Sequence, residues 1–239
     1  MPSHWVSTLN NPSIQARVGE HFFYTGVSLL FTILIAVPLG FYIGHTGRGR
    51  AAAILISNAT RALPTLGLYA VLILALPAGL LPITVVLVIL AIPPLLAGVY
   101  AGLESVDRQT VDAARALGMT EFQILFKVEI PLGLGLIFGG LRSATLQIIA
   151  TVTIAGYFGF GGGLGHYLTF GLSANDQPQL VAGAILVIVL ALVVDAVLAL
   201  VQRLVVPAVS SGSTRIRNTA RVEAIVPLAS KRTLIKEGK

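Results

Sequence analysis

Five stretches of this chain are long and apolar enough to cross a bilayer, and no fold that leaves them in water is available to it. A hydrocarbon core of about 30 Å takes about 20 apolar residues in a helix. Residues 22–44, 51–76, 80–102, 131–155 and 180–204 meet that requirement. The first holds no charge, the second holds Asn58 and Arg61, and the third holds Pro93 and Pro94. The fourth carries Arg142 and the fifth Asp195. Strands of a membrane barrel alternate polar and apolar residues, and these stretches do not. The expected fold class is all-α integral membrane, with five main spans. Composition agrees: 55% of the 239 residues are hydrophobic and 11% charged, where soluble domains are about 25% charged.

Several function classes drop out at once. The chain has no cysteine, which excludes thiol catalysis, disulfides and Cys-based zinc sites. His4, His21, His45 and His166 are scattered without metal-ligand spacing, so no metal or other cofactor is expected. There is no GxxxxGK[ST] motif to cradle a triphosphate, and no Ser or Asp stands in a nucleophile-elbow context. No catalytic site is expected. The formal charge of +6 points in a membrane chain to cytoplasmic loops and anionic lipid, not to nucleic acid.

Lys and Arg are lopsided between the spans. Arg48 and Arg50 follow the first, Arg108, Arg115 and Lys127 the third, and Arg203 with a basic tail the fifth. The opposite side offers only Arg17. Positive loops stay in the cytoplasm, so the N-terminus is expected outside and the C-terminus inside. The polar start (Ser3, His4, Asn10, Asn11) does not read as a signal peptide. The expected organisation is an external segment over 1–21, a transmembrane domain over 22–206, and a basic, poorly ordered tail over 207–239 that is attracted to lipid. A short re-entrant or interfacial helix within 156–173 remains open.

The loop over 103–130 is too long for a simple turn, and it is patterned. Val106, Thr110, Ala113, Ala114 and Leu117 fall at helical spacing. Gly118 suits a left-handed helix end. Thr120 suits the cap of a second short helix bearing Phe122, Leu125 and Phe126, and Pro131 suits a helix start. Such a helix–elbow–helix docks into a partner's groove or rests on lipid headgroups; patterning leaves both readings open.

Asp112-Ala113-Ala114, three residues, Gly118, nine residues, then Val128-Glu129-Ile130-Pro131 resembles the EAA loop of binding-protein-dependent ABC importer permeases. The usual Glu is Asp112 here, which keeps the carboxylate and shortens its reach. Further segments, Ala62 to Leu68, Val106-Asp107, Gly118-Met119-Thr120 and Gly159 to Gly165, resemble the branch importing glycine betaine, choline, proline betaine or carnitine. The resemblance implies a type I importer permease fold, with Asp112, Ala113, Ala114, Gly118, Ile130 and Pro131 in an ATPase-coupling loop. It also implies two ATP-binding subunits, an external substrate-binding protein and a second permease copy or paralogue. Alternatives are a permease for another small solute such as an amino acid, a non-transporting membrane scaffold, and an intramembrane enzyme.

Four other features invite a role. Gly159, Gly161, Gly163 and Gly165 form a hinge or outer gate, or simply a packing loop. The nearby aromatics Tyr157, Phe158, Phe160, Tyr167 and Phe170 contact a quaternary ammonium by cation–π attraction or form an interfacial belt. Gly135, Gly139 and Gly140 suit close helix packing. Arg61 is ten residues from Ala51, Arg142 eleven from Pro131, and Asp195 eleven from Val206. At 1.5 Å per residue all three lie about 15–17 Å deep, in one layer. Charges at that depth pair or face water. Sequential spans usually neighbour each other, so Arg142 is expected to pair with Asp195 and Arg61 to face Asn58, carbonyls or an aqueous path. With so few polar groups in the spans, selectivity is expected to rest mainly on the external binding protein.

Overall fold

A computed structural model describes residues 12–77 and 79–206. The tail expected over 207–239, the first eleven residues and the turn at residue 78 lie outside the described residues. The description below concerns the unit ending at Gln202; residues from Arg203 form a second unit, described only to Val206.

The described residues are helical, joined by turns. Helix α1 is Pro12–Thr46, α2 Arg50–Ala62, α3 Thr65–Ala75, α4 Leu80–Glu104, α5 Arg108–Ala116 and α6 Glu121–Ile124. A π-turn over Leu125–Glu129 leads into α7, Ile130–Tyr157, followed by α8, Gly165–Ser173, and α9, Gln177–Val205. Among the described residues four helical stretches are long and apolar enough to span, or five if α2 and α3 count as one broken span.

One expectation needs correction. The second apolar stretch is not one straight helix: α2 and α3 meet at 91°. Pro64 has no N–H, and it drives Leu63 into extended backbone, φ −69° and ψ 129°. The helix of the first span runs from Pro12, ten residues ahead of the apolar stretch that opens at residue 22. The open question over 156–173 resolves into a glycine turn and the nine-residue α8, too short to span.

Helix α4 is the core, with Ile83, Val86, Leu87, Ala91, Leu95 and Val99 buried. It packs against α1 and α7 through glycines. A Cβ at Gly40 would lie 2.6 Å from the Val99 side chain, and one at Gly98 would lie 2.4 Å from the Gly140 Cα. A Cβ at Gly133 would lie 2.5 Å from the Gly102 carbonyl oxygen. The small-residue seam of α7 is therefore Gly133 with Gly140. Gly139 faces open space, and the Gly135 carbonyl accepts a bond from Gln202 Nε2 at 3.0 Å. Helix α9 is the reverse of α4: Ile188, Val189, Leu192 and Val193 are exposed, as a lipid- or subunit-facing surface requires.

Candidate coupling loop and intramembrane polar layer

The loop over 103–130 is built by local chemistry. Asp107 caps α5, its side chain accepting from Gln109 N at 3.2 Å. The helix ends when Gly118 turns left-handed, φ +82°. Met119 N then donates to the Ala114 carbonyl at 3.2 Å and Gly118 N to that of Arg115 at 2.9 Å, the paired bonds of a Schellman ending. Thr120 and Gln123 form a reciprocal capping box that starts α6. Ile130 continues the helix out of the π-turn, and Pro131 sits in the first turn of α7, where its missing N–H is harmless.

The apolar stripe divides differently from its spacing. Val106, Val111 and Ala114 are buried against Ile124, with Met119 and Val128 beside them. Thr110 and Ala113 are exposed, and Leu117 is 83% exposed. Thr110, Ala113 and Leu117 thus make an outward face at helical spacing, joined in exposure by Phe122 at 71%. The buried stripe folds the elbow on itself, and the outward stripe is free.

Charges fasten the elbow. Arg115 donates from Nε to Glu121 Oε1 at 2.8 Å and from Nη2 to Oε2 at 3.0 Å, and from Nη1 to Asp112 Oδ1 at 3.2 Å. The Glu121 carboxylate, then Asp112, holds the Arg115 guanidinium above its ordinary range. His45, near the end of α1, has Nε2 3.2 Å from Glu121 Oε2 and Nδ1 2.5 Å from Glu129 Oε2. Asp112 therefore belongs to a chain of contacts, Asp112–Arg115–Glu121–His45–Glu129, that ties the loop to α1. His45 and Glu121 carry no motif signal; their positions beside a span end and a helix start are the only hint.

In the spans, Arg142 and Asp195 meet: Nε and Nη2 of the guanidinium each donate to one carboxylate oxygen. Arg61 joins neither them nor Asn58. It lines an open cleft of about 340 Å³ with Thr60, Leu63, Thr65, Leu90, Pro94, Ser143 and Gln147, and has no ion pair among the described residues.

At the other end, the glycine run is pinned. Gly159 and Gly163 have φ of +71° and +92°. Gly163 N donates to Glu20 Oε2 at 2.9 Å, and Leu164 N to the buried His21 Nδ1 at 3.4 Å. A Cβ at Gly161 would lie 2.9 Å from Ile83 Cδ1, and one at Gly165 would lie 2.1 Å from the Thr153 carbonyl oxygen. Phe160 stacks on Tyr69 of α3 at 5.9 Å and on Phe158 at 6.2 Å. Phe158 meets Tyr157 edge-on at 4.8 Å. Tyr167 is buried and Phe170 exposed. Nothing in the sequence marks Glu20, His21 or Tyr69, because their partners lie in distant segments.

Residues 36–211 match the family model described as binding-protein-dependent transport system inner membrane component. The glycine betaine/carnitine/choline transport system permease protein OpuCB of Bacillus subtilis is 32% identical over 186 residues, 78% of this chain and 85% of its own length. The osmoprotectant import permease protein OsmW of Salmonella typhimurium is 30% identical over 181 residues, 74% and 84% of the two chains. In fold, the chain is similar to one from the inward-facing MetNI methionine ABC transporter, at TM-score 0.68 and 23% identity, covering 81% of this chain and 97% of that one. The chain belongs to the binding-protein-dependent transport system inner membrane component family and is a multi-pass membrane permease subunit of an ABC importer.

Proposed function

We propose that this chain is the permease of an importer for small osmoprotectants of the glycine betaine, choline, proline betaine or carnitine class. The observation carrying the substrate class is that relatives at 30–33% identity over about three quarters of the chain are named for glycine betaine, carnitine, choline or osmoprotectant transport. Five spans, with α2 and α3 as one broken span, put Arg48, Arg50, Arg108, Arg115 and Lys127 on one side. That side is the cytoplasm by the positive-inside rule, with the N-terminus outside and the C-terminus inside. The elbow around Asp112, Ala113, Ala114, Gly118, Ile130 and Pro131 is the coupling loop. Its free face of Thr110, Ala113, Leu117 and Phe122 enters a groove of an ATPase subunit.

Two such subunits hydrolyse ATP and two permease copies, or a copy and a paralogue, rock between outward and inward access around the substrate. An external binding protein delivers it, and the pinned glycine run Gly159, Gly161, Gly163, Gly165 supports the outer mouth. The basic tail over 207–239 rests on anionic lipid. Radiolabelled glycine betaine and choline uptake in cells with and without this chain tests the reading. Uptake of one or both is expected only with the chain, and equal uptake without it overturns the assignment.

A further inference from the structure

We infer that the cleft around Arg61 is a transit site for the carboxylate of a zwitterionic substrate, so that the permease itself favours carboxylate-bearing osmoprotectants over choline. The inference rests on the osmoprotectant reading and narrows it.

The depth of the cleft comes from its walls. Leu90 and Pro94 lie ten residues inside either end of α4, and Ser143 and Gln147 lie 13 and ten residues inside the ends of α7. Arg61 thus opens onto the middle level of two spanning helices. The break at Pro64, which removes α2–α3 as a straight ruler, does not alter that. A guanidinium at that level needs an anion or water. Of the ten acidic residues in the chain, Asp195 alone lies within the five apolar stretches, and both its oxygens are taken by Arg142. A second copy of this chain has the same shortage. Arg203 stands one residue from the end of its stretch, so Arg61 is the mid-membrane cation left over.

The rest of the lining suits a zwitterion. Thr65 and Ser143 supply hydroxyl donors and Gln147 an amide donor, while the Thr60 hydroxyl donates to the Ile56 carbonyl at 2.8 Å. Pro94 has no N–H, so the Leu90 carbonyl lacks its i+4 donor, and its partial negative charge attracts the quaternary ammonium, which has no N–H to donate. A carboxylate gains two parallel bonds from a guanidinium, whereas choline brings only a hydroxyl and a positive charge, which Arg61 repels. The cleft is open, so the hold is brief, and tight selection stays with the binding protein.

The test uses the complete importer in proteoliposomes, scoring glycine betaine and choline uptake for the wild type, Arg61→Gln and Arg61→Lys. Arg61→Gln is expected to lower betaine uptake about ten- to hundredfold relative to choline, the size of a hydrogen bond to a charged group. Arg61→Lys is expected to fall between. Retained choline uptake shows that the variant is folded; equal loss of both substrates, or no loss, overturns the inference. Wild-type vesicles that carry neither overturn the osmoprotectant reading. A second arm is independent of that reading: phenylglyoxal modification of Arg61, followed by peptide mass spectrometry, with sodium acetate or tetramethylammonium chloride added. Protection by acetate alone supports the site. Equal protection by both salts, protection by neither, or full protection with no addition, as a lipid phosphate or neighbouring subunit would give, overturns it.

Discussion

His45 and Glu129 are 84 positions apart, and the Nδ1 of the one lies 2.5 Å from the Oε2 of the other. The contact joins the last turn of α1 to the π-turn that feeds α7, and Glu129 is 5% exposed. The second ring nitrogen faces Glu121 at 3.2 Å, and the imidazolium form donates to both carboxylates. His45→Ala strands the buried Glu129 carboxylate, and breaking a buried pair from one side costs about 3–5 kcal/mol. Glu129→Gln leaves an amide that still bonds the ring. Thermal melting of the purified importer is expected to fall more for His45→Ala than for Glu129→Gln. The reverse order would mean that the carboxylate, not its compensation, carries the joint.

Gly118 separates conformation from collision. Its φ is +82° and nothing lies within 4 Å of a Cβ placed there. A side chain therefore costs only what the left-handed backbone costs, about 1–2 kcal/mol for an ordinary residue and more for a β-branched one. Gly118→Val is expected to insert normally, disturb the elbow and cut transport severalfold, while Gly118→Asn, which tolerates this backbone, keeps most of it. Equal transport by the two variants would remove the elbow from coupling.

How much of this was legible follows from the range over which each residue acts. The spans stand out because a bilayer tolerates little but apolar side chains for 20 or so positions. Gly118, Thr120 and Pro131 stand out because caps and turns are decided within a few residues. The break at Pro64 does not, since proline sits in Pro38 and Pro93–Pro94 without ending α1 or α4; hydropathy is the same either way. The spacing phases the apolar stripe from Val106 through Thr110, and only the packing against Ile124 reveals that Val111 turns inward. The contacts of Gly163 with Glu20 and of Leu164 with His21 each span 143 positions, beyond the reach of any local pattern.

The α4–α7 seam gives a contrast between neighbours. A Cβ at Gly140 would lie 2.8 Å from the Gly98 Cα, backbone that has no rotamer to yield, whereas one at Gly139 meets nothing within 4 Å. Gly140→Ala is expected to push the helices apart and lower both yield and melting temperature. Gly139→Ala is expected to match the wild type or exceed it slightly, since alanine favours helix over glycine by about 1 kcal/mol. Parallel expression and melting of the two variants decides whether the seam runs through Gly140.

The pair Arg142–Asp195 is the sole link between unlike charges in the apolar stretches, and its two members belong to α7 and α9. Helix α9 buries few residues in this chain, Ala182 and Gly183, so a charged bond at mid-height is a large share of what locates it. Removing one member leaves the other a charge without its partner in a stretch where charges must pair or face water. Removing both leaves two amides able to bond each other and no unpaired charge. Asp195→Asn alone is therefore expected to lower the amount of assembled importer sharply, and the double variant Arg142→Gln, Asp195→Asn to recover much of it. Size-exclusion analysis of the complex measures this directly. If the double variant assembles no better than Asp195→Asn, the pair does not act as a pin between α7 and α9, and its charges matter singly.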